Sequence, residues 1–157
     1  MRILKIILIL ITIFLLFFMS LALIFLKDVF GNKSGYIIAL LFVVLGFLLS
    51  AFTLIYHIKS FRYYRKSKPY KEANKTIAVL KICAIAHSVY CILFGILSII
   101  GNFTTNDRSD DIISAVVFVP VILFGILSIY ETVFLRKQIN QLQKEQETKD
   151  EIATIGN

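Results

Sequence analysis

The ionisable side chains His57, Lys81, His87 and Glu131 stand inside runs that are otherwise apolar. A charge at the centre of a span costs roughly 2.5–3.5 kcal/mol on insertion scales, so each of the four is expected to face protein, water or a lipid headgroup. Two histidines and a carboxylate could in principle hold a metal. No His pair has i, i+4 or H-x-x-x-H spacing, so neither a metal nor any other cofactor is expected. His87 falls near the middle of its run. It is expected either to bond a helix carbonyl or a Ser hydroxyl as a polar core residue, or to pass protons. Lys81 and Glu131 each lie about 6 Å inside a helix end. They are expected to form an ion pair with each other; the alternative is that Lys81 reaches the headgroups and Glu131 reaches water separately. His57 adds a further polar group near the same membrane face.

Other chemistry finds no support. The two cysteines, Cys83 and Cys91, belong to no C-x-x-C pair. On one helix they would be about 12 Å apart, beyond the roughly 7 Å Cα limit for a disulfide. No nucleophile elbow with its Ser-His-Asp order, no Gly-rich phosphate loop and no zinc-binding helix occurs, and the loops are too short to build a pocket outside a bilayer. A catalytic role is therefore not expected.

The elements that position these side chains follow from composition. Of the 157 residues 58% are hydrophobic and only 17% are charged, and the mean hydropathy is +0.82. That much apolar surface cannot face water, so the expected fold is all-α: one integral membrane domain, a four-span helix bundle. The spans fall at 3–26, 36–58, 77–100 and 112–135. The first has an apolar core of about 21 residues where a signal peptide has about 7–15, so it reads as an uncleaved span. Lys27 to Gly35 and Gly101 to Asp111 read as outer loops, and residues 136–157 as a polar tail in which the fourth helix continues for two or three turns before fraying.

Small and polar residues recur at steps of three and four within the spans. In the second the stripe runs through Ala39, Val43, Gly46, Ser50, Thr53 and His57; in the third through Lys81, Ala84, Ser88, Cys91, Gly95 and Ser98; in the fourth through Ser114, Phe118, Val121, Gly125, Ser128 and Thr132. Such seams let helix backbones approach, so these faces are expected to meet protein. Counting from the helix ends of an antiparallel third and fourth span sets Ala84 level with Ser128, Ser88 with Gly125 and Gly95 with Phe118. Pro120 should disturb the fourth helix at the Val116 carbonyl. The octapeptide ILFGILSI occurs at both 92–99 and 122–129, either as an internal duplication or as a product of apolar low complexity.

Seven basic residues, Lys59, Arg62, Arg65, Lys66, Lys68, Lys71 and Lys75, stand against Glu72 in the 59–76 loop, a net +6 of the chain's +7. Lys and Arg concentrate in loops that stay in the cytoplasm, so this loop and both termini are expected inside. Beside a membrane the nearest partner for Lys59, Arg62, Arg65, Lys66, Lys68 and Lys71 is an anionic lipid headgroup, not nucleic acid. The absence of Trp and the heavy use of Ile, Leu, Lys and Asn suit a bacterium with an AT-rich genome, and hence its cytoplasmic membrane.

Leu80-Lys81-Ile82-Cys83-Ala84-Ile85-Ala86-His87 resembles the L-K-I-x-A-I-x-H opening of some small bacterial multi-span membrane proteins of uncharacterised function, with Ala86 and Ser88 standing where those have aromatics. The resemblance implies a multi-span architecture and nothing about activity. Two functions of different class follow from the residues. One is a non-enzymatic interaction or accessory protein, such as an immunity or assembly partner, acting on a membrane protein or on further copies of itself by helix packing. The other is a proton- or ion-coupled small transporter or channel subunit that uses His57, Lys81, His87 and Glu131.

Overall fold

The computed structural model describes residues 2–30, 35–61, 75–103 and 108–155. The described residues are helical almost throughout. They form α1 (Arg2–Phe30), α2 (Gly35–Ser60), α3 (Lys75–Phe103) and α4 (Arg108–Ile155). Each contains a stretch long and apolar enough to cross a membrane: Arg2–Leu26, Tyr36–Ser60, Ala78–Gly101 and Val116–Gln141. Such runs are helical because a bilayer leaves backbone polar groups no partner but their own i−4 neighbours.

The helices outrun the expected spans. Lys27 to Phe30 continue α1, and Gly101–Phe103 and Arg108–Asp111 are helical where an outer loop was expected. At the other end α4 does not fray after two or three turns. It continues to Ile155, carrying it roughly 30 Å beyond Leu135. Good helix formers fill this stretch: Gln, Lys and Glu make up ten of the residues from Lys137 to Ile155, with no Gly or Pro before Gly156. The helix also runs through Pro120 without a break.

Helix neighbours follow chain order: the broadest contact is between α3 and α4, α1 packs on α2 and α2 on α3, and α1 touches α4 only slightly. Contacts across α3 and α4 pair rising with falling residue numbers, so the two are antiparallel. A Cβ at Gly95 would lie 2.5 Å from Ile122 Cγ1 and 3.2 Å from the Phe118 carbonyl. One at Gly125 would lie 2.7 Å from Ile92 Cγ1 and 2.7 Å from the Ser88 carbonyl. The two copies of ILFGILSI thus pack on each other with pseudo-two-fold symmetry: the leading Ile of each sits in the notch left by the Gly of the other. Both residues are needed, since the missing Cβ makes room for the Ile and for the close approach of the backbones.

The same logic joins α2 and α3. Gly46 leaves space for the Tyr90 ring, whose hydroxyl would stand 2.7 Å from any Cβ there and donates to the Phe42 carbonyl at 3.2 Å. Tyr90, Phe42, Phe94 and Phe118 make successive ring contacts at 4.8–5.7 Å between centroids. This aromatic layer closes one half of the bundle. Leu8, Tyr90, Cys91 and Phe124 form the central cluster, and Tyr56, Leu80, Ala84 and Leu135 a second one toward the end that carries both termini. Outward faces are apolar: Phe14, Phe17, Ile37, Leu41, Leu45, Leu48, Phe52, Ile82, Leu97 and Leu123 are among the exposed residues. In a membrane these meet lipid.

Candidate functional site

Polar side chains converge in the bundle interior at two levels. Nearer the terminal end, Glu131 of α4 accepts a hydrogen bond from Lys5 Nζ at 2.8 Å on Oε1, and both side chains are 0% exposed. Lys5 Nζ also lies 4.7 Å from the centroid of the Tyr56 ring, on α2. His57, the next residue on α2, places Nδ1 3.8 Å from Glu131 Oε2 and is likewise fully buried. Three helices thus contribute to one buried ionic cluster.

Deeper in, His87 of α3 makes the second level. Its Nε2 is 2.9 Å from Ser50 Oγ on α2 and 3.6 Å from Cys91 Sγ one turn along α3. Ser50 Oγ also lies 2.8 Å from the Gly46 carbonyl, to which it donates. A hydroxyl has one hydrogen, so Ser50 can only accept from His87, and the network assigns the imidazole proton to Nε2. Phe124 meets the same imidazole nearly edge-on, with ring centroids 5.8 Å apart.

Between the two levels stand Thr53 and Ser128, each 0% exposed. Among the described residues, Thr53 Oγ1, Ser128 Oγ, both ring nitrogens of His57 and Nδ1 of His87 find no hydrogen-bond partner. Other interior hydroxyls return to their own helix: Thr12 to the Leu8 carbonyl, Ser60 to that of Tyr56, Ser88 to that of Ala84 and Thr132 to that of Ser128, at 2.6–2.9 Å. Back-bonding of this kind satisfies a hydroxyl in hydrocarbon without a second helix.

The expected pair of Lys81 with Glu131 is not formed. Glu131 finds Lys5 instead, and Lys81 stays half-buried at the edge of α3. The reason is α1. That helix lays Lys5 into the bundle and neutralises the carboxylate from inside, while Lys81, only partly covered, can extend its ammonium along the surface. Lys5 stands at the N-terminal edge of the first apolar run, where a basic residue ordinarily reads as a flanking charge. The signal was available: Lys5, Leu8, Thr12, Leu15, Met19, Ala22 and Leu26 recur at steps of three and four, and Lys5, Leu8, Thr12 and Leu26 are all buried.

Of the remaining candidate residues, Gly46, Ser50, Ala84, Ser88, Gly95, Gly125 and Ser128 are buried, and Ser98 is half-buried. The Ser114 side chain lies outside the described residues. So do Arg62, Arg65, Lys66, Lys68 and Lys71, which leaves Lys59, exposed on the last turn of α2, as the described member of the basic group. Among the described residues no group of three His, Cys, Asp or Glu side chains is placed to hold a metal ion. What the arrangement can do chemically is bind a cation against a carboxylate and an aromatic face, and keep it from water. No protein-family model, no curated protein and no solved structure matches this chain.

Proposed function

We propose that this is a non-enzymatic interaction or accessory protein of the bacterial cytoplasmic membrane, of the kind that serves as an immunity or assembly partner, with both termini in the cytoplasm. The observation that carries the reading is the burial of the polar groups a carrier would need to expose. Glu131 is 0% and His87 1% exposed, and the Glu131 charge is met by Lys5 inside the protein. A transport residue must meet water from at least one side during its cycle; these two are enclosed by side chains. What the bundle offers outward is an apolar face for lipid or another helix, and the polar extension of α4, whose Lys144, Glu145, Glu147 and Glu151 are exposed.

The cytoplasmic placement of the termini rests on charge. Eleven Lys and Arg residues fall in the N-terminal segment through Lys5, the 59–76 loop and Arg136–Lys137, against three in the two opposite loops. The basic loop then lies against anionic headgroups, and the resemblance around Leu80 to His87 fits a bacterial source.

Reconstitution tests the reading against its alternative, a proton- or ion-coupled transporter. Vesicles containing the protein, loaded with a pH-sensitive dye and given a pH or potassium gradient, should dissipate it no faster than protein-free vesicles. Flux above that background which disappears in Glu131→Gln or His87→Ala would replace the accessory reading with the transporter.

A further inference from the structure

We propose that Glu131, Tyr56 and His57 form a receptor for a primary alkylammonium group, which the chain fills from within by the Lys5 side chain. The proposal goes beyond the accessory role and does not depend on it. Its chemistry is on display in the occupant: the ammonium donates to the carboxylate at 2.8 Å and lies 4.7 Å from the centre of the Tyr56 ring. A carboxylate supplies a charge-assisted hydrogen bond and an aromatic face a quadrupole, and together they select an organic cation over a neutral group.

Two further observations separate the receptor from its occupant. The walls are built without α1. Tyr56 and His57 are on α2 and Glu131 on α4, and α3 packs against both, with Leu80 and Ala84 joining Tyr56 and Leu135 in one buried cluster. Lys5 belongs to the first turns of α1, which packs mainly on α2 and touches α4 only slightly, so its side chain can be removed while α2, α3 and α4 still hold the walls. The receptor also has more hydrogen-bonding capacity than Lys5 uses. Lys5 places one of its three ammonium hydrogens on Oε1, while among the described residues neither nitrogen of the fully buried His57 ring, one of which accepts in the neutral imidazole, has a hydrogen-bond partner, and nor do the hydroxyls of Thr53 and Ser128 one turn deeper. Buried polar atoms without partners are uncommon and mark places where a ligand or water completes the structure. An ammonium not tied to α1 could seat between Glu131 and His57 and use that capacity.

The test is chemical complementation. Lys5→Ala deletes the atoms that propylammonium would restore. The purified variant should melt below wild type in detergent, and propylammonium chloride should recover most of that loss in a saturable way. Sodium chloride and 1-propanol at equal concentration should not. Lys5→Ala combined with Glu131→Gln should not respond to the amine. If Lys5→Ala yields no folded protein, extraction and purification in propylammonium should restore the folded fraction seen by size exclusion, and in 1-propanol should not. A variant unmoved by propylammonium in either measurement, or moved equally by 1-propanol, overturns the proposal.

Discussion

Lys5 and Glu131 stand 126 positions apart and meet at 2.8 Å, fully buried, where α1 and α4 touch far less than α1 does α2 or α3 does α4. Here α1 and α4 are held by charge more than by packed area. Desolvating both ions opposes the pair, and the direct contact and the Tyr56 face offset that cost.

This relationship predicts non-additivity. Lys5→Met or Glu131→Gln alone leaves a buried group without its counterpart and should destabilise the bundle by about 3–5 kcal/mol. The double variant should lose less than the sum of the singles, with a coupling of about 1–3 kcal/mol. Thermal melting of the four proteins in one detergent measures it. Additive losses would mean that the two side chains do not depend on each other. Lys81→Met, in the same assay, should leave the effect of Glu131→Gln unchanged.

The interlocked octapeptides predict an order among glycine substitutions. At Gly125 an added Cβ would press on the Ser88 carbonyl at 2.7 Å, which is backbone and cannot yield without moving α3. At Gly95 the nearest atom belongs to the Ile122 side chain, which can turn aside. Gly125→Ala should therefore cost more than Gly95→Ala, both within about 1–3 kcal/mol for overpacking. Comparison of the two melting temperatures decides it; the reverse order would contradict the packing.

At the deeper level, Ser50→Ala removes the acceptor of the His87 Nε2 hydrogen and leaves a buried donor unmet, at a cost of about 1–3 kcal/mol. Thr148, which makes a comparable back-bond to the Lys144 carbonyl on the exposed extension, provides the control. Thr148→Ala should be within about 0.5 kcal/mol of wild type. Equal effects at the two sites would show that the Ser50 contact contributes nothing of its own.

Orientation is open to direct measurement. Single cysteines at Lys68 and Thr105, in a background with Cys83 and Cys91 replaced, should label oppositely with an impermeant maleimide applied to intact cells. Position 105 should react and position 68 should not. Strong labelling at 68 with none at 105 would invert the proposed topology.

The number of helices and the faces they turn inward were legible in the chain because both depend on local physics. An apolar run of more than 20 residues must be helical in hydrocarbon, and recurrence at three and four marks one side of it. Gly95 and Gly125 showed in this way where backbones approach, and counting from the helix ends set Ser88 against Gly125 and Gly95 against Phe118, the contacts the helices make. The reach of α4 to Ile155 exceeds what its apolar run indicates, since apolar length limits a span but not a helix.

The partner of Glu131 was a different kind of question. Periodicity gives the depth and the inward direction of a side chain within its own helix, and by those measures Lys5 and Lys81 are equivalent: each sits on an inward stripe near the same end. Only the tertiary arrangement distinguishes them. It places α1 so that Lys5 is enclosed at 0% exposure, where an ammonium must find a carboxylate, and leaves Lys81 partly uncovered, where it need not. A charge pairs according to distance and desolvation in space, and neither quantity exists until four helices have been set beside one another.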